Sequence, residues 1–196
     1  MSISGDTQAG QGRAARLPGD LAMWFFILAE LAVFGILILA FVWAQALQAP
    51  LFRAGRQALD ASTGLGLTIS LLTSGWCAAW AVAQVRQGKR GGAWLLCLAL
   101  ASACGYVVLK LREYAHLADL GLGLEHDTFF TLYWLLTGFH FLHVLLGMLI
   151  LGALAYRCRA GAYGPGRSSG LESGVLYWHM VDLIWVLLFP VVYLLG

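Results

Sequence analysis

Charge is nearly absent from five long stretches of the chain. Positions 21–45 hold a single ionisable residue, Glu30. Positions 61–85 and 91–109 hold no Asp, Glu, Lys or Arg. Positions 128–156 hold none either, though they include His140 and His143, and positions 173–196 hold only Asp182 among charged residues. Crossing a hydrocarbon core of ~30 Å takes about 20 helical residues, and each stretch is of that length or longer. A spanning strand needs only ~9–11 residues that alternate in polarity, and no such alternation is present. A backbone in lipid must satisfy its own hydrogen bonds, which leaves helices. The pattern therefore predicts an all-α integral membrane protein with five transmembrane helices.

Breakers and charges gather between these stretches. Pro50, Gly55 and Asp60 mark the first connection, and Gly88, Lys89, Arg90, Gly91 and Gly92 a tight second. Lys110 to Asp127 forms a longer polar third, and Arg157 to Glu172, rich in Gly and Ser, the fourth. No internal repeat or second domain is visible. We read a polar tail over 1–17 and one membrane domain over 18–196. The twelve Lys and Arg divide unequally. Eight fall in the N-terminal tail and the second and fourth connections, and four in the first and third. The positive-inside rule then places the N-terminus in the cytoplasm and the C-terminus in the periplasm. Ala44-Gln45-Ala46 has the form of a leader cleavage site, but the preceding apolar run exceeds the ~7–15 residues of a leader core and carries Glu30, so we expect it to be retained.

Composition agrees. The chain is 60% hydrophobic and 11% charged, where soluble domains carry about 25% charged residues. Mean hydropathy is +0.77. With a net charge of only +2 there is no basic excess for nucleic acid. The four cysteines (Cys77, Cys97, Cys104, Cys158) form no C-x-x-C pair and read as small core residues.

Ionisable groups at membrane depth carry the most information, because each costs at least ~2.5 kcal/mol to insert. Glu30 and Asp182 each lie about ten residues into a helix that starts from the cytoplasmic side, so they share a depth. His179 is three residues before Asp182, on the same helix face. His140 and His143 are also three apart. One belt of the bundle is thus expected to hold Glu30, His140, His143, His179 and Asp182. Three readings stay open: a hydrogen-bonded cluster that orients helices, a proton- or lipid-linked site, and a metal or haem site. Lys110 is expected to snorkel at the outer interface and to pair with Glu113 if the helix continues. Thr68, Ser70, Thr73 and Ser74, with Gly64, Gly66 and Gly75, suggest a close-packing face. Trp24, Trp43, Trp94, Tyr106, Tyr114, Trp178 and Tyr193 suggest an aromatic belt. No phosphate loop, nucleophile elbow or H-E-x-x-H motif occurs, so no catalytic site of the chain's own is expected.

Five runs, in order, resemble the haem–copper oxidase subunit III family. They are WFFILAELAVF from Trp24 to Phe34, LTISLLTS from Leu67 to Ser74, KLREY from Lys110 to Tyr114, TGFHFLHVLLG from Thr137 to Gly147, and YWHMVDLIW from Tyr177 to Trp185. Longer members of that family have seven helices; quinol-oxidase subunits III and NorE-like proteins of nitric oxide reductase gene groups have five. The opening PGDLAMW, Pro18 to Trp24, looks most like the NorE-like branch. The resemblance implies a non-catalytic accessory subunit of the bacterial inner membrane without a metal or cofactor of its own. It would bind phospholipid and pack beside a catalytic subunit I-like partner, which carries haem with copper or non-haem iron. It would support that partner's stability and proton uptake in an oxidase or nitric oxide reductase complex. Glu30 is similar to the family's carbodiimide-reactive glutamate. Two alternatives remain: a transient assembly factor, or a b-type haem electron carrier with axial ligands drawn from His140, His143 and His179.

Overall fold

A computed structural model describes residues 21–195; the polar tail over 1–17, with Arg13 and Arg16, lies outside the described residues. The described chain is helical. α1 spans Leu21–Leu47, α2 Ala49–Gln57, α3 Ala61–Arg86, α4 Gly92–Asp119, α5 Thr128–Arg159 and α6 Ser169–Phe189, followed by a π-helical turn over Pro190–Leu194. Among the described residues there is no strand beyond an isolated Gly164–Arg167 bridge. Five of the helices are long and apolar enough to cross a membrane: α1, α3, α4, α5, and α6 with its π turn. This is the predicted architecture, and the protein is a multi-pass membrane protein. Ala44 to Ala46 lie within α1.

Two helices differ in extent from the sequence expectation. The first connection contains a helix. α2 opens on Pro at its first turn, where a missing N–H costs nothing, and lays Phe52 and Gly55 against the bundle. Phe52, Phe41 of α1 and Phe129 of α5 meet as a ring cluster, with centroids 5.1–5.9 Å apart. A Cβ on Gly55 would strike the Phe129 ring. The second difference is the length of α4. It does not stop at Leu109 but runs ten residues further, to Asp119, so Lys110 and Glu113 sit on a helix within the bundle.

α3 and α4 are the tightest pair. Ser70 Oγ donates to the Ser102 carbonyl at 2.5 Å and Ser102 Oγ to the Ser70 carbonyl at 2.7 Å, a reciprocal clasp. One turn on, Ser74 Oγ donates to the Ala99 carbonyl at 2.7 Å. Small hydroxylated side chains let two helices approach closely and satisfy their polar groups in the process. α1 is the least enclosed span. It packs on α5 and α6 along one face through Ile27, Phe34 and Phe41. Phe25, Leu28, Ile36, Leu39 and Trp43 point outward.

At the end where α1 finishes, Asp60 caps α3 by accepting from the Ser62 and Thr63 N–H groups at 3.1 and 3.0 Å. Hydrogen bonds from both hydroxyls and both amides hold its carboxyl down at about 2. Pro190 lacks the N–H that would continue α6, and the chain widens into the π turn there. Arg56 of α2 covers the turn's carbonyls, donating to Val192 and Val191, both at 3.1 Å, and to Gln45 Oε1 at 2.7 Å. Gln45 in turn donates to the Leu195 carbonyl. The C-terminal ends of α1 and α6 are thereby joined through α2.

The expected aromatic belt is only partly present. Trp43 and Trp94 are exposed, but Tyr106, Trp178 and Tyr193 are buried and Tyr114 is packed inside. Trp178 and Tyr106 lie near the middle of α6 and α4 rather than at their ends, and all four rings face inward.

Candidate functional site: the intramembrane polar groups

The five belt residues do not converge on one centre. They divide into three groups. The first joins α1 to α5: Glu30 Oε2 lies 3.1 Å from His143 Nε2. His143 Nδ1 lies 2.8 Å from the Phe139 carbonyl, one turn back. A carbonyl can only accept, so Nδ1 carries a hydrogen. The contact to Glu30 then needs exactly one more proton between the two groups. Either the carboxyl is protonated and donates to Nε2, or the imidazole is doubly protonated and donates to the carboxylate. In both forms the pair is neutral as a whole, which suits its depth. Phe34 and Phe139 pack their rings on the His143 imidazole at 5.2 and 4.6 Å.

The second group lies within α6. His179 Nδ1 and Asp182 Oδ2 are 3.1 Å apart, the i, i+3 pair expected from the sequence. Gly75 of α3 admits it, because the Asp182 carboxyl occupies the space a Cβ would fill. The third is His140 alone. It is fully buried, stacked on Trp185 at 5.2 Å and edged by Tyr106 and Phe34 at 6.1 and 6.2 Å.

This distribution bears on the metal and haem readings. Among the described residues no three His, Cys, Asp or Glu side chains come together as a ligand set. Both nitrogens of His143 are engaged, whereas His179 is engaged through Nδ1 only. His140 is enclosed by three aromatic rings, and both of its ring nitrogens lack a hydrogen-bond partner. Among the described residues no ligand set for a metal ion is assembled, and the three intramembrane histidines belong to three different groups.

A denser polar site lies where the sequence suggested an interface. Lys110 of α4 is completely buried and does not snorkel. Its amine has three donors and three acceptors: Glu113 Oε1 at 3.3 Å, Tyr133 Oη at 3.0 Å and Tyr193 Oη at 3.1 Å. The Tyr133 and Tyr193 hydroxyls both donate onward to the same Glu113 oxygen, the latter at 2.6 Å. The ammonium also sits 4.9 Å from the ring centroids of Tyr114 and Tyr133 and 5.2 Å from that of Trp185. Tyr114 donates to Thr137 Oγ1 at 3.0 Å, and Trp185 Nε1 donates to Thr68 Oγ1 at 3.1 Å. The cage thus draws one or more residues from α3, α4, α5, α6 and the π turn. Sequence reasoning found the Lys110–Glu113 pair but missed Tyr133, Tyr193 and Trp185. The i, i+3 spacing carries a local signal for the ion pair, whereas its tyrosine partners lie 23 and 83 positions from Lys110.

Comparison with known proteins agrees with these motifs. A family profile described as cytochrome c oxidase subunit III matches residues 7–196. The chain is 32% identical over 184 residues to cytochrome c oxidase subunit 3 of Synechocystis sp., covering 90% of this chain and 76% of that one. It is 37% identical over 110 residues to the same-named protein of Thermostichus vulcanus, covering 56% of this chain and 52% of that one. It is also 28% identical over 178 residues to quinol oxidase subunit 3 of Bacillus spizizenii, covering 90% and 86%.

Proposed function

The chain belongs to the cytochrome c oxidase subunit III family, and from that premise we propose that it is a non-catalytic subunit III of a bacterial respiratory complex, seated in the inner membrane beside a haem-bearing catalytic subunit. Its relatives include subunits of both cytochrome c and quinol oxidases. The observation that carries the reading is how the intramembrane polar groups are used. Glu30 closes on His143, Asp182 on His179, and Lys110 on Glu113 and two tyrosines. The first and third of these groups tie one element to another, the second packs from α6 against Gly75 of α3, and α1 is left with a long apolar outer face. Such a chain acts through its neighbours, steadying the catalytic subunit, its lipid surroundings and its proton uptake. The haem, with copper or non-haem iron, belongs to that partner, and phospholipid fills the remaining surface.

The end bearing the α3–α4 and α5–α6 connections, rich in Lys and Arg, faces the cytoplasm in this reading. Within the family we favour the five-helix NorE-like branch, whose partner reduces nitric oxide; the opening run from Pro18 to Trp24 supports it. The alternative, a transient assembly factor, differs in stoichiometry.

The test is affinity purification of the tagged full chain from its native membrane in mild detergent. A stoichiometric haem-containing partner is expected, with no haem in the chain purified alone. A stoichiometric haem signal in the isolated chain overturns the proposal. The identity of the partner decides between oxygen and nitric oxide. Deletion followed by measurement of the partner's haem loading and turnover separates a resident subunit from an assembly factor, since the latter lowers loading without co-purifying.

A further inference from the structure

A cavity of about 530 Å³ opens between the α3–α4 and α5–α6 connections, at the end of the bundle opposite α2. Its wall carries Lys89, Arg90 and Arg159 and no acidic residue. Among the described residues none of these three cations makes an ion pair. The nearby carboxylate of Glu172 is already committed, to Arg86 at 2.8 Å and to the Ser168 hydroxyl at 2.5 Å. Tyr163 also lines the cavity, and its hydroxyl is buried without a hydrogen-bond partner. The Tyr163 ring is held by Arg157, whose guanidinium lies 5.5 Å from the ring centroid. α4 begins at this cavity, with Ala93 in the wall and no side-chain cap on its first N–H groups.

The walls are shaped rather than incidental. Gly88 and Gly161 take left-handed backbone conformations, φ 71° and 74°, which turn the two connections sharply. Pro165 packs over Gly88, and a Cβ there would lie 3.3 Å from the proline ring. The two loops therefore meet, and the cavity is the space they enclose above the helix ends.

We propose that this cavity is a binding site for a phosphate-bearing anion, supplied either by the headgroup of an anionic phospholipid or by free phosphate. Unpaired Lys and Arg suit the several oxygens of a phosphate, which accept from ammonium and guanidinium groups together. The Tyr163 hydroxyl and the uncapped N–H groups of α4 add neutral donors. The depth is that of the headgroup layer, since the lining begins where α3 and α5 leave the apolar spans, and basic pockets between transmembrane helices suit lipid headgroups. The inference depends on the membrane-spanning fold and not on which complex the chain joins.

The test uses the full chain, delipidated in an uncharged detergent, and binding of acyl-labelled phosphatidylglycerol. Saturable binding near one per chain is expected, with phosphatidylcholine at least ten-fold weaker. Each basic residue near such a surface is worth a factor of roughly 5, so K89A/R90A/R159A should weaken binding about 100-fold. Tyr163→Phe, which removes only a hydroxyl, should weaken it several-fold while leaving the melting temperature unchanged, and it serves should the triple variant fail to fold. Arg53→Gln at the other end should change nothing. Competition by millimolar inorganic phosphate assigns the site to free phosphate as well; its absence assigns the site to the lipid headgroup. Equal binding of phosphatidylcholine, or undiminished binding by both the triple variant and Tyr163→Phe, overturns the proposal.

Discussion

Replacing Lys110 by Met should be among the most damaging single changes available in this chain. Lys110 is wholly buried and its amine lies 3.3 Å from Glu113 Oε1. Two unit charges at that distance attract by about 5 kcal/mol at an effective dielectric constant of 20. The net value is smaller, because both ions lost their water on folding. Removing one partner from a buried pair nevertheless costs about 3–5 kcal/mol, since the other charge is stranded. Lys110→Met strands a carboxylate that keeps two tyrosine donors. Glu113→Gln strands an ammonium that keeps two tyrosine oxygens and the surrounding rings. Each single variant should therefore lose roughly 3–5 kcal/mol, whereas the double variant strands no charge and should lose at least 2 kcal/mol less than the sum. The assay is reversible unfolding of the full chain in mixed detergent micelles, followed by tryptophan fluorescence and helicity. Additive losses, or a loss below about 1 kcal/mol for Lys110→Met, would refute the reasoning, and the ammonium would then have to reach water.

Three further changes probe other contacts. Glu30→Gln should fold and assemble normally, because an amide N–H can donate to His143 Nε2 as a protonated carboxyl does; Glu30→Ala leaves that nitrogen unpaired and should cost about 1–3 kcal/mol. Equal yields and melting temperatures for the two variants would contradict the assignment. Gly75→Ala should destabilise by about 1–3 kcal/mol through overpacking against Asp182, and Asp182→Ala should remove most of that penalty, so a thermal-melt double-mutant cycle that came out additive would place the clash elsewhere. Asp60 caps α3 with a carboxyl depressed from 3.8 to about 2. A depressed folded value means stability present above pH 4 and lost as pH falls through 2, so the difference in melting temperature between the wild type and Asp60→Asn should shrink across that window; a constant difference would show that the charge of Asp60 contributes nothing.

Much of the fold was legible because lipid imposes length and polarity on each span. The limits were physical. Taking Lys110 as the end of a span assumed that charge marks the water boundary, and α4 shows that an ammonium given three acceptors can lie inside a bundle. Reading 46–60 as a loop overlooked α2, whose nine residues are amphipathic but too short and too polar to stand out beside the membrane spans. Equal depth suggested one polar belt, but depth says nothing of azimuth, and the five residues fall into three separate groups. His140 and His143 are three positions apart, yet one is enclosed by Tyr106 and Trp185 while the other reaches Glu30. The His179–Asp182 pair was visible because a single helix supplies both groups. The Glu30–His143 pair, with 113 positions between its members, was not.

The loose enclosure of α1 also has a bearing on how the protein is made. α1 precedes the other described spans in the chain, yet it packs on the last two. Its polar tether waits for His143, and its C-terminal end waits for Leu195, 150 residues later. Until α5 has been made, Glu30 has no lasting partner within the chain. α3 and α4, adjacent in sequence and clasped by their own serines, can pair as soon as both have been inserted. Biogenesis should thus proceed from the middle outward, with α1 held in reserve. A nascent chain stalled before α5 would expose an acidic group in lipid, a mark by which membrane quality control could recognise it as unfinished.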